Sequence, residues 1–172
     1  APEMVMFGYQ LMKLNAALNA PSYSQAVIDP IIIGLKEEAK DFYKDLNIST
    51  DKKIFIALME MYKQNVTKEN QPSFFELVDK KYKGSFNKYA DKLYEKSILR
   101  SQASFIEFLN NPKAKTLNKD IGFTTMMSVL SKYRMLYMQS VSAKTKIDDN
   151  MRVYIDGLRK KNPEKIYYGD AN

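Results

Sequence analysis

Apolar side chains recur along this chain at steps of three and four, and the rhythm breaks at Gly, Pro and cap residues. That pattern predicts helices joined by short turns. Met4, Phe7, Leu11, Leu14 and Leu18 share one helical face, which Asn19-Ala20-Pro21 ends. Asp29 followed by Pro30 reads as an N-cap with proline at the first helical position, opening a helix whose buried stripe is Ile31, Leu35, Phe42 and Leu46. Thr50 is the expected cap of the next helix, with Ile54, Leu58, Met61 and Tyr62 inward and an end near Val66. Pro72 opens a short helix with a stripe of Phe74, Leu77, Val78 and Tyr82, stopped by Lys83-Gly84. Ser85 caps a helix facing in with Phe86, Tyr89, Leu93 and Tyr94; Ser101 caps one carrying Phe105, Ile106 and Leu109; Asn111-Pro112 leads into a brief helix through Leu117.

Asp120 is the expected cap of the longest element. Met126, Leu130, Tyr133 and Tyr137 share a seven-residue phase with Ile147, Met151, Tyr154 and Leu158, although Ser140 and Lys144 interrupt the stripe. Preserved phase predicts one helix over about 121–161, on the order of 60 Å long, with 141–146 as the place where a kink would fall. The tail from Ile166 to Asn172 reads as a strand or loop. With no useful alternating segment elsewhere, the fold class is all-α, a multi-helix bundle built on one long C-terminal helix.

A length of 172 residues suits one domain with its own core. The chain has no His and no Cys, which excludes a Ser-His-Asp or Cys-His nucleophile system, a thiolate metal site or a disulfide framework built from this polypeptide alone. The net charge of +7 leaves an acidic partner open. Of the basic residues only Arg100, Arg134, Arg152 and Arg159 are arginine, however, and a lysine-rich surface is poorly suited to forked recognition of phosphates and base edges. No apolar run reaches the ~20 residues of a bilayer span, so no membrane span is expected. The start Ala1-Pro2-Glu3 lacks an initiator Met and a signal region, which leads us to expect a fragment of something larger.

Candidate chemistry is thin. Ser49 with Lys52 and Ser85 with Lys88 match a serine–lysine spacing, but both serines stand where helix caps are wanted. Glu37-Glu38 and Asp148-Asp149 are neighbours that point in different helical directions, which suits a solvated face better than an acid/base pair. The stretch from Lys80 to Tyr89 interleaves aromatics with base as a stacking platform for single strands does, yet Tyr82, Phe86, Tyr89 and Leu93 also step as a core stripe. Met126, Met127, Met135 and Met138 fit either core filling or an adaptable groove. Two sequons, at Asn47 and Asn65, carry little weight. No catalytic, cofactor-binding or metal-ligating residue is assigned, and no cofactor is expected.

Several segments resemble the helical region of the bacterial dipeptidyl-peptidase 7/11 family of serine exopeptidases. They are Asp41-Phe42-Tyr43-Lys44-Asp45-Leu46-Asn47 with Asp51 through Tyr62, Lys81-Tyr82-Lys83-Gly84 with Tyr89-Ala90-Asp91-Lys92-Leu93-Tyr94, and Tyr168-Gly169-Asp170-Ala171-Asn172. The resemblance implies that residues 1–172 are a single helical cap domain of a secreted or periplasmic enzyme that releases dipeptides from peptide N-termini. Its partners would be a catalytic double-barrel domain of the same polypeptide and, through that enzyme, peptide substrates. The family's His and Asp lie upstream and its Ser downstream of the matching region, so no triad residue carries over and this chain alone is not expected to catalyse. A basic helical interaction or nucleic-acid-binding module is the alternative, and a helical protein with a Met- and Tyr-lined ligand groove is a third.

Overall fold

The computed structural model describes residues 2–22 and 24–165, and among them every regular element is helical. The chain divides into two compact units, residues 1–132 and residues 133–172. The first unit begins with α1 (Glu3–Phe7), a 3₁₀ turn (Gly8–Leu11) and α2 (Met12–Leu18). The turn interrupts the single helix expected there but keeps Met4, Phe7, Leu11 and Leu14 buried on one side. Gly8 lets the turn approach its neighbours closely, since a Cβ on it would lie 3.2 Å from Leu99 Cδ1 and 3.5 Å from Met126 Cβ.

Helix α3 (Gln25–Asp45) starts earlier than the Asp29-Pro30 signal predicts, and Pro30 lies inside it. The reason is the core: Ile28 is fully buried, so the chain must already be helical before the proline to set Ile28, Ile32, Leu35 and Ala39 on one face. Asp29 caps nothing; its Oδ1 accepts from Gln25 Nε2 at 2.6 Å. Of the expected stripe Leu35 is buried, while Ile31, Phe42 and Leu46 are half-buried along the margin of the same core.

Helix α4 (Ile48–Asn65) is capped by Asn47, not Thr50: Asn47 Oδ1 accepts from the Thr50 amide at 3.0 Å. Its buried face is Asp51 and Phe55, with Ile56, Met59 and Tyr62 alongside, whereas Ile54 and Met61 are exposed. Helix α5 (Phe74–Tyr82) ends in two left-handed residues, Lys83 at φ 53° and Gly84 at φ 76°. The Gly84 amide donates back to Val78 O at 3.1 Å, which closes the helix as Lys83-Gly84 predicts.

Ser85 caps α6 (Phe86–Lys96) and Ser101 caps α7 (Gln102–Asn110), each accepting from the amide three residues on. The brief α8 (Ala114–Leu117) follows. Aromatic rings fill the space between helices, with Phe7 stacked on Phe42 at 3.9 Å and Phe75 edge-on to Phe86 at 4.9 Å.

Helix α9 (Ile121–Lys161) is 41 residues long and runs unbroken through 141–146. Asp120 caps it as expected, its Oδ1 accepting from the Phe123 amide at 2.9 Å. Within the first unit Gly122, Phe123, Thr125 and Met126 are buried and Met127, Val129 and Leu130 pack against the core. From Tyr133 onward no described residue is buried. The tail expected as a strand or loop, from Ile166 to Asn172, lies outside the described residues.

Candidate functional site

The buried carboxylates of the first unit, Asp51 and Asp120, each centre a knot of hydrogen bonds. The Asp51 carboxylate accepts from the amides of Glu3 at 2.5 Å and Met4 at 3.1 Å, and from the Tyr94 hydroxyl at 2.7 Å. It therefore caps α1 from across the bundle and ties it to α4 and α6. Asp120 is the second: it accepts from Ser97 Oγ at 2.9 Å and the Ile98 amide at 2.7 Å in addition to capping α9.

Two further phenols are engaged, the half-buried Tyr43 donating to Leu99 O at 2.9 Å and the buried Tyr89 sharing a 2.6 Å hydrogen bond with Thr125. Burial raises all three tyrosine hydroxyls above their ordinary range, and Tyr89 is pushed up to about 12 despite its bond to Thr125. Asp120 adds to the rise at Tyr43, and the hydrogen bond and charge of Asp51 add to it at Tyr94. Among the described residues no buried side-chain polar atom lacks a hydrogen-bond partner. These groups hold helices together.

The residues weighed on sequence grounds fall on the surface or in the core. Ser49 lies in the first turn of α4, and Lys52 pairs with Asp91 at 2.5 Å. Ser85 Oγ accepts from the Lys88 amide at 3.3 Å, so that serine is a cap. Glu37 pairs with Lys40 at 2.8 Å, and Asp149 lies 3.8 Å from Arg152, both on exposed faces. In the Lys80–Tyr89 stretch the rings are core: Tyr82 sits edge-on to Tyr89 at 5.3 Å, with Phe86 and Tyr89 buried. The methionines separate, Met126 being buried and Met135 and Met138 exposed. Among the described residues no group of three or more His, Cys, Asp or Glu side chains could hold a metal ion, and no helix is long and apolar enough to cross a membrane.

Open surfaces are found on both units. One is a groove of about 390 Å³ between the 3₁₀ turn, α2 and α3, floored by Met12, Ile31 and Leu35 and rimmed by Tyr9, Lys13 and Glu38. Gly34 widens it, with open space where a Cβ would be, and Pro30 borders it. Sequence reasoning missed this groove because Ile31 looks like a core position and Pro30 like a helix start. The second surface is the face of α9 that carries the seven-residue phase, where Tyr133 and Ile147 are each 63% exposed.

A family model described as Peptidase S46 matches residues 3–172. The chain is 32% identical to a protein named dipeptidyl-peptidase 7 from Porphyromonas endodontalis, over 99% of this chain and 21% of that protein. It is 28% identical to dipeptidyl-peptidase 7 of Porphyromonas gingivalis, over 81% of this chain and 20% of the relative. An Asp/Glu-specific dipeptidyl-peptidase of P. gingivalis matches at 30% identity over 75% of this chain and 18% of its own length. The chain thus spans about a fifth of the length of the curated relatives it matches.

Proposed function

The chain belongs to the peptidase S46 family, and from that membership we propose that residues 1–172 are the helical cap domain over the active-site cleft of a serine dipeptidyl-peptidase, an enzyme removing dipeptides from peptide N-termini. The observation that carries this reading is the mismatch in length: a family match along almost the whole chain, against relatives about five times as long. A segment of that size made of packed helices, with no His in its sequence, suits a part that shapes access to a reaction carried elsewhere in the same polypeptide. In this reading the catalytic, cofactor and metal assignments of the chain itself are none. The double-barrel domain of the parent is its partner, and the setting is periplasmic or secreted.

Such a cap acts by sterics and orientation. Helices that close one end of a cleft admit a free peptide terminus and refuse a continuing chain, and closure holds the scissile bond in one attitude while excluding water. Replacing residues 3–161 by a short Gly/Ser linker in a full-length enzyme carrying this chain is expected to lower hydrolysis of a dipeptidyl reporter about a hundredfold, the scale on which misplaced substrate loses rate. The same enzyme should begin to cleave peptides whose N-terminus is acetylated. Unchanged reporter hydrolysis with N-terminal selectivity intact would refute the cap role. The isolated chain is expected to hydrolyse nothing, and to show no affinity for nucleic acid of the kind that falls steeply with salt.

A further inference from the structure

We propose that the exposed seam of α9 in the second unit is the seat of another helix from the remaining polypeptide, one that carries its own three-four apolar repeat and sets an Asp or Glu opposite Lys144. The proposal rests on family membership and not on the cap role.

Tyr133, Tyr137, Ser140, Lys144, Ile147, Met151, Tyr154 and Leu158 follow one another at alternating steps of four and three, the spacing of a coiled-coil seam, over a length of about 37 Å at ~1.5 Å per residue. Apart from the half-buried Leu158 the apolar members are far from covered: Tyr133 and Ile147 are 63% exposed, Tyr154 61% and Tyr137 56%. Tyr133 and Tyr137 already stack on each other at 6.2 Å, presenting a continuous aromatic step along the helix. Large exposed apolar faces of this kind mark interaction surfaces, and a helix without a buried face gains little from its own backbone bonds in water.

The geometry of the seam selects its occupant. A stripe of this period receives side chains from another helix of the same period, knobs entering holes, and fits a flat or strand-built surface poorly. The polar centre argues against a second copy. No seam position bears a carboxylate, so parallel self-pairing sets Lys144 against Lys144. The antiparallel register that matches polar with polar puts the two lysines in adjacent layers. Either arrangement desolvates two ammonium groups with no partner on the seam. A different helix can supply the missing carboxylate, and the relatives leave ample chain to supply it, since this one spans about a fifth of their length.

The test uses the full-length protein carrying this chain, hydrogen exchange along α9 and molar mass by light scattering. In the unaltered protein the amides of 133–158 are expected to be protected. Tyr137→Glu with Ile147→Glu should speed their exchange roughly tenfold or more with no change in mass, while Val153→Glu, off the seam and 73% exposed, should leave both unchanged. Lys144→Glu should also speed exchange, by setting like charges together. Protection of the amides of 3–132 reports that the bundle is still folded in every variant. Seam variants that leave exchange unaltered, or a native α9 that exchanges as a solvated helix, would overturn the proposal, and so would a halving of mass on seam substitution, which would name a second copy as the occupant. Failure of the cap role would show in peptide selectivity, which none of these readouts uses.

Discussion

The Asp51 carboxylate ties the bundle together because three donors from two other helices converge on it: the Glu3 and Met4 amides and the Tyr94 hydroxyl. Its exposure is 3%, so removing it strands those donors away from water. Asp51→Ala is expected to cost about 2–4 kcal/mol in chemical denaturation, and Asp51→Asn less, since an amide oxygen still accepts one of the three. Equal losses for the two variants would mean that the carboxylate's hydrogen bonds are not what matters there. Gly122 makes the same point by shape. A Cβ there would run into Ser97 Oγ and approach Asp120 Oδ1 and Leu99 Cδ1 to 3.2 Å, so Gly122→Ala must displace the hydroxyl that holds Asp120 in place. A loss of about 1–3 kcal/mol is expected even though alanine favours helix, and a gain in the melting midpoint would show that the knot gives way easily.

At the scale of the element, sequence and structure agree where one residue alone can do the capping. Ser85, Ser101 and Asp120 each precede a helix and each accepts the amide predicted for it. They part at α4, where Asn47-Ile48-Ser49-Thr50 offers several cap-competent side chains and spacing alone cannot rank them. They part at α3 as well, since Asp-Pro is a strong local start signal that the burial of Ile28 overrides. The inward face of α4 was hidden for a related reason: its centre is a carboxylate, and a hydrophobic pattern assigns Asp51 to solvent. Pro30 is then a proline within a helix, without an amide for the carbonyl of Ala26. Pro30→Ala is expected to stabilise the first unit by about 1–3 kcal/mol, read as a shift in urea midpoint at unchanged slope. Destabilisation would mean that the ring's contacts along the groove outweigh the missing bond.

At the scale of the whole molecule the open functional surfaces were the least legible part, because a stripe of apolar residues reads the same whether the chain covers it or leaves it for something else. The exclusions carried further. A chain without His or Cys is unsuited to build the familiar nucleophile systems by itself, and the family match runs along residues 3–172. What the first unit does hold is a set of buried and half-buried phenols distributed over α3 and α6, and they tie its folding to alkaline pH. Tyr89 titrates near pH 12 in the folded state against about 10 when unfolded, because burial disfavours the phenolate. A raised value means that the native state holds the proton more tightly. The stability this contributes is complete below pH 10 and is lost as pH climbs from 10 towards 12. Tyr43 and Tyr94, raised in the same direction, steepen the decline. Tyr89→Phe should therefore be less stable than the parent by about 1 kcal/mol at pH 8, where it lacks the bond to Thr125. That deficit should shrink as pH passes 10, since phenylalanine has no proton to lose. Denaturation curves at pH 8, 10 and 11 followed by circular dichroism measure the difference directly. A deficit that stays constant across the three would show that the buried phenol is not what couples this bundle to alkali.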